Sequence, residues 1–217
     1  MSERIGWLLV ENGVIKFNVE SPFRYTSGIV SPVYTNCRAI MSLVDVRREV
    51  LAGLQSMIKG SVGGFDGFSG TADAGIPWAA FMADRFDKKM VFVRKKPHPH
   101  GLGKQIEGLY AEGERFVGVE DHVTTGGSLL RQVDVLRAEG LVVEDCVSIT
   151  TYNLAEAREG LEKKGVRLHS LTDIEAALRA CSAKGVLKKT DADAIADWLR
   201  DPRGWAGRRG VKADDGR

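Results

Sequence analysis

FVGVEDHVTTGGSLL, residues 116–130, decides how the rest of the chain is read. The apolar run Phe116, Val117 and Val119 predicts a buried strand, and Glu120 and Asp121 place two carboxylates at its carboxyl end. A turn of small residues follows (Thr124, Thr125, Gly126, Gly127, Ser128), and then an amphipathic helix begins. Glycines let consecutive backbone N–H groups converge on one point, hydroxyls add donors, and the helix dipole favours negative charge there. Carboxylates beside such a cradle would repel a bare anion unless they served sugar hydroxyls or a hydrated metal. The pattern therefore predicts a sugar-phosphate site. An ordinary strand-loop-helix connection, with Gly and Ser only capping the helix, is the plainer alternative, and the acid pair weighs against it.

Outward from this stretch, strands and helices alternate between residues 43 and 180. Helical spacing of Val46, Val50, Leu54 and Met57 is stopped by Gly60, and Phe65 to Phe68 reads as a strand leading into the loop SGTADAG. A helix entered through Ile76-Pro77 and a strand over Met90 to Val93 come next. Beyond the central stretch lie a helix ended by Gly140, a strand over Val142 to Thr151, a helix over Ala155 to Lys164 and a short strand over Val166 to Leu168. A helix over Asp173 to Ala180 follows, with Thr172 as candidate N-cap. This alternation predicts an α/β fold with a mostly parallel, doubly wound sheet flanked by helices. In such sheets ligands sit beyond the carboxyl ends of the strands, at a switch in strand order. Loops 70–75, 94–108 and 120–128 all follow strands, so they should gather on one edge. Residues 1–40 are expected to form a helix and a small N-terminal hood, residues 41–180 the α/β core, and residues 181–217 a helical extension and tail. All three are expected to belong to one domain, 1–217.

Composition excludes several classes. With 43% hydrophobic and 28% charged residues the chain has the make-up of an ordinary globular protein, and a formal charge of +2 is too small to argue for nucleic acid or a membrane surface. Cys37, Cys146 and Cys181 are scattered, without metal-ligand spacing, which suits a reducing compartment; the expected location is the cytoplasm. The first residues lack the apolar core of a signal peptide. There is no GxxxxGK[ST], no GxGxxG after a strand, no HExxH and no GxSxG, so nucleotide-hydrolase, dinucleotide, zinc-protease and hydrolase readings all weaken. What stands out instead is Arg94 to Gly108, RKKPHPHGLGKQIEG, a basic loop with almost nothing to bury. A long loop at a strand end is usually a lid, a binding loop or disordered.

VEDHVTTGGS resembles the phosphoribosyl-diphosphate (PRPP) signature of type I phosphoribosyltransferases. FRYTSGIVSPVYTNCR (residues 23–38) and RKKPHPHGLGKQIEG resemble two further segments of the orotate phosphoribosyltransferase family, the latter its catalytic loop. The resemblance implies transfer of the phosphoribosyl group of PRPP to orotate, giving orotidine 5′-monophosphate and pyrophosphate in de novo UMP biosynthesis. It implies that Thr124, Thr125, Gly126, Gly127 and Ser128 hold the 5′-phosphate, with His122 and Val123 in the same PRPP-binding stretch. Glu120 and Asp121 would hold the ribose hydroxyls, and Asp121 is among the catalytic residues. Arg94, Lys95, His98 and His100 would contact the pyrophosphate. Thr26, Tyr34 and Thr124 would face orotate. The cofactor implied is Mg²⁺, held mainly by PRPP and water, and the assembly implied is a homodimer whose 94–108 loop reaches the partner's site. A phosphoribosyltransferase for another base and a non-catalytic PRPP-binding regulator are the alternatives; the SGIVSPVY and QIEG segments and the retained basic loop argue against them.

His98 departs from the family pattern, which has Lys there, so a permanent charge becomes one that titrates near neutrality. Either His98 contacts pyrophosphate when protonated, or it is a solvated loop histidine whose role Lys95 and Lys96 cover. On the first reading, kcat/KM of the native protein falls as pH rises through the imidazole range, and His98→Lys flattens that fall. Superimposable pH profiles for the two proteins would favour the second.

Overall fold

The computed structural model of the chain describes residues 1–25, 28–96 and 105–210. Thr26, His98 and His100, named above as site residues, lie outside them. The elements run α1 (Ser2–Glu11), β1 (Ile15–Phe17), β2 (Phe23–Arg24), β3 (Val30–Ser31), β4 (Val33–Thr35), a 3₁₀ turn at Cys37–Met41, and α2 (Val44–Ser61). There follow β5 (Gly67–Thr71), α3 (Gly75–Phe86), β6 (Lys89–Val93), β7 (Ile106–Glu107), β8 (Phe116–Val123), α4 (Gly127–Ala138), β9 (Asp145–Thr151) and α5 (Ala155–Lys163). The chain continues through β10 (Arg167–Asp173), α6 (Ile174–Ala183), α7 (Lys189–Arg200) and α8 (Trp205–Arg208).

The main sheet has six strands in the order β10-β9-β8-β5-β6-β7. All of its pairings are parallel except that of the edge strand β7 with β6. Strand β5 is the switch point: the next strand, β6, lies on one side of it and β8 on the other. The loops leaving β5 and β8 therefore diverge around a crevice, where ligands bind in sheets of this kind. The inner strands β5 and β9 are buried along their whole length, as expected where helices cover both faces.

Two apolar layers cover the sheet. One joins α1, α2, α3, α6 and the hood strands to Phe68, Val117, Val119, Val147 and Ile149. The other packs Leu129, Val133 and Leu136 of α4 and Ala157 and Leu161 of α5 against Val91, Phe116 and Cys146. The hood consists of two antiparallel ribbons, β1 with β4 and β2 with β3. Among the described residues no helix is long and apolar enough to cross a membrane.

Several boundaries differ from those read in the sequence: β5 runs Gly67–Thr71 rather than Phe65–Phe68, and β9 begins at Asp145 rather than Val142. Strand β10 is seven residues long rather than a short run ending at Leu168, because Thr172 and Asp173 still pair with Thr150 and Thr151. Consequently Asp173, not Thr172, caps α6, accepting from the Ala176 N–H at 2.7 Å, while the Thr172 hydroxyl donates to the Ser2 carbonyl at 2.9 Å. The basic loop also has something to bury. Ile106 is 5% exposed, and its strand closes on β6, with the Arg94 N–H donating to the Gln105 carbonyl at 2.9 Å.

The C-terminal helices join the first layer through indoles. Trp198 and Trp205 are fully buried, and the Trp198 Nε1–H donates to the Val30 carbonyl in the hood at 2.8 Å. Trp198→Ala removes both the packing and that bond. It is expected to cost about 3–5 kcal/mol in chemical denaturation, whereas Trp198→Phe keeps most of the packing and costs less.

Candidate active site

The crevice at the switch point is a cleft of about 560 Å³ lined by the hood (Tyr25, Tyr34, Arg38), the β5 loop (Ala72 to Ala74), Lys95, Glu120 to His122, Thr124, Thr125 and Ser128. Its floor is set by close backbone approach. Helix α3 begins so near β8 that a Cβ on Gly75 would lie 2.3 Å from the Val119 carbonyl oxygen, so a residue without a side chain is needed there. At the other strand end Gly126 caps α4 with φ of 81°, a left-handed turn that suits glycine. From it the chain enters the cradle, a recess of about 280 Å³ lined by His122 to Leu129 and Arg131.

The two acids are drawn out of water. Glu120 is 6% exposed; its carboxylate accepts from the Ser128 hydroxyl at 3.0 Å and from the Asp121 N–H at 3.2 Å. Burial, and after it the charge of Asp121, pushes the Glu120 carboxyl up to about 8. Asp121 accepts from the His122 N–H at 2.8 Å. Burial raises its carboxyl as well, against the opposing pull of hydrogen bonds and of the Arg38 charge. The Cys37 thiol beside them is raised too, mainly by burial and then by the two acids. The pair is poised to take up groups that hydrogen-bond to carboxylates or carry positive charge.

His122 has both ring nitrogens buried and without hydrogen-bond partners, and its ring stands edge-on to Tyr152 with centroids 4.3 Å apart. Burial pushes this imidazole down to about 4, so at neutral pH it is an uncharged wall. The Tyr152 hydroxyl bonds that of Tyr25 and lies 3.3 Å from the Thr35 hydroxyl, linking β9 to the hood. Tyr34 is 40% exposed and packs on Phe23 with centroids 5.3 Å apart.

Toward β6, the Lys95 ammonium pairs with Asp73 of the β5 loop, which holds the Asp73 carboxyl below its ordinary value. Arg94 pairs with Glu107 at 3.1 Å. Of the residues singled out in the sequence, Tyr34, Lys95, Glu120, Asp121, His122, Thr124, Thr125 and Ser128 line the one cleft, and Val123, Gly126 and Gly127 complete the adjoining cradle. Asp73, Arg38, Tyr152 and Gln132 were not singled out as binding residues. Gln132 is 1% exposed and spans the gap from α4 to β5, bonding the Ser69 carbonyl, the Ser69 hydroxyl and the Thr71 hydroxyl at 2.7, 2.9 and 2.7 Å. A polar residue on an otherwise apolar helix face was its only signal. Among the described residues no three His, Cys, Asp or Glu side chains converge as a metal cluster.

An acid pair and a recess of hydroxyl and glycine residues lie at the switch point of this sheet, and the family model described as phosphoribosyl transferase domain matches residues 61–180, which places the chain in that class. Orotate phosphoribosyltransferase from Bacillus mycoides is 38% identical over 202 residues, covering 93% of this chain and 96% of that protein. Orotate phosphoribosyltransferase from Coxiella burnetii is 35% identical over 201 residues, with the same coverage of 93% and 96%. The crystal structure of orotate phosphoribosyltransferase from Aeropyrum pernix matches with a TM-score of 0.72 and 28% identity, over 82% of this chain and 98% of that one. The chain belongs to the orotate phosphoribosyltransferase family.

A raised carboxyl favours the native state while it is protonated. Glu120 therefore contributes stability that is present below its unfolded value of 4.5 and lost as pH rises toward about 8. Glu120→Gln, which cannot ionise, should be at least about 1 kcal/mol more stable than the native protein at pH 8.5 and nearly equal to it at pH 4.5. Denaturation curves at the two pH values, recorded without substrate, check this.

Proposed function

We propose that the chain catalyses transfer of the phosphoribosyl group of PRPP to orotate, releasing pyrophosphate and forming orotidine 5′-monophosphate, a step of de novo UMP biosynthesis. The observation that carries the proposal is the convergence of cradle, acid pair, hood and Lys95 on a single cleft. On this reading the turn from Thr124 to Ser128 seats the 5′-phosphate on backbone N–H groups and hydroxyls. Glu120 and Asp121 accept hydrogen bonds from the ribose hydroxyls.

The C1–O bond to pyrophosphate breaks as an orotate ring nitrogen bonds to C1 and gives up its proton to the departing pyrophosphate or to water, and positive charge develops on the sugar ring as the leaving group departs. The Asp121 carboxylate, and that of Glu120 where it is ionised, would favour that charge, and in a cleft drawn out of water the effect exceeds its value in water. The phosphate seat and the hood orient donor and acceptor, which removes much of the entropic barrier to their encounter. Lys95, which lines the cleft paired with Asp73, would exchange that partner for the departing pyrophosphate. Tyr34 and Thr124 are assigned to the orotate side.

The hard oxygen donors of Glu120 and Asp121 fit a hydrated Mg²⁺ carried in on the diphosphate of PRPP. When bound, the ion would neutralise charge on the leaving group. A homodimer, with the 94–108 loop completing the partner's site, is the assembly the family resemblance supports. Three buried free cysteines are in keeping with a cytoplasmic location.

Folded protein given orotate, PRPP and Mg²⁺ should lower the absorbance of orotate with time; absence of orotate consumption overturns the assignment. Asp121→Asn should reduce kcat/KM by about 10²–10³-fold, with no loss of thermal stability.

A further inference from the structure

Arg203 reaches the cleft from the C-terminal extension, beyond the 61–180 family match, and is held there by unusually firm anchors. Trp198 bonds Val30, and the Trp205 Nε1–H donates to the Ala194 carbonyl at 2.9 Å. Asp201 accepts from the Gly204 N–H at 3.0 Å and pairs with Arg208, which also meets Asp197 at 3.3 Å. The turn carrying Arg203 is therefore fixed at both ends. Beside the cleft Arg203 also lines a small recess with Ile29, Thr125, Leu154 and Glu156.

Its charge is only weakly committed. Among the described residues lining the cleft, the basic side chains are Arg38, Lys95 and Arg203. Lys95 is bound to Asp73, and the Arg38 charge bears on Asp121. Arg203 faces Glu156 at 4.0 Å with its side chain 70% exposed. An exposed pair at that separation contributes little, so the guanidinium can turn to a stronger partner. A guanidinium fork matches the oxygen spacing of carboxylate and phosphate groups.

Position narrows the partner. Lys95 follows β6, whereas Thr125 and Leu154, the neighbours of Arg203, follow β8 and β9. In the sheet order these lie on opposite sides of β5. Arg203 therefore stands away from the pyrophosphate end, where the cradle lip meets the hood. We propose that Arg203 is a substrate-binding residue that pairs with an anionic oxygen group there, either the 5′-phosphate seated in the cradle or the carboxylate of the pyrimidine acceptor. This rests on the cleft's being the site for PRPP and orotate.

The test is steady-state kinetics of the full chain with Arg203→Ala and Arg203→Lys, together with thermal midpoints. Arg203→Ala should raise one KM by about 10-fold or more, with kcat little changed and the midpoint unmoved, and Arg203→Lys should recover part of the loss. A rise confined to orotate assigns the carboxylate; one confined to PRPP assigns the phosphate. If both KM values stay at the native level, or both rise together with a lowered midpoint, the proposal is overturned. A native protein that consumes no orotate would instead sink the functional reading beneath it, so the two failures are distinguishable.

Discussion

The side-chain amide of Gln132 sits fully buried between α4 and β5 and satisfies both its donor and its acceptor across that gap. An unpaired amide in that place would lose its hydration without compensation, so helix and strand are held at the spacing where all the partners meet. Everything functional hangs from this spacing. The first turn of α4 carries the cradle and the Ser128 hydroxyl that meets Glu120, and the end of β5 leads into the loop bearing Asp73. A shift of α4 along the sheet would separate the cradle from the acid pair at the end of β8.

The fold places its polar groups against its own stability. Glu120 and Asp121 are adjacent and desolvated, and each carboxylate disfavours the charge of the other, while the His122 ring next to them has both nitrogens buried without hydrogen-bond partners. None of these is what a chain optimised only for packing would place at the end of its central strand. They make sense at a site that must attract hydroxyls and favour a cation, because a group poorly solvated by the protein gains most from the right ligand. The surrounding framework compensates with two apolar layers and with an extension whose indoles are fully buried.

Much of this was legible in the sequence. Alternating strands and helices gave the layered sheet, and VEDHVTTGGS marked the carboxyl end of β8 because acids, hydroxyls and glycines in that order have few other uses. The edge strand β7 was not legible, since a two-residue pairing of Ile106 and Glu107 leaves no periodicity. Nor was the cap of α6, because Thr172 and Asp173 both have capping side chains and only the extent of β10 selects between them. Long-range partners were the most hidden. Lys95 and Asp73 are separated by 22 positions, and Tyr25 and Tyr152 by 127. Their pairing is a product of strand order, which no local pattern encodes.

The Trp198 indole bonded to Val30 brings opposite halves of the chain to one wall of the cleft, 168 positions apart in sequence. A chain emerging from the ribosome makes the hood strands early, yet their supporting indole comes more than a hundred and fifty residues later. Sequence-distant contacts of this kind form late and slow folding, because the loop they close must be ordered first. The turn from Thr124 to Ser128, by contrast, is built from neighbours in sequence. The hood side of the cleft therefore carries the larger loop-closure cost of the two.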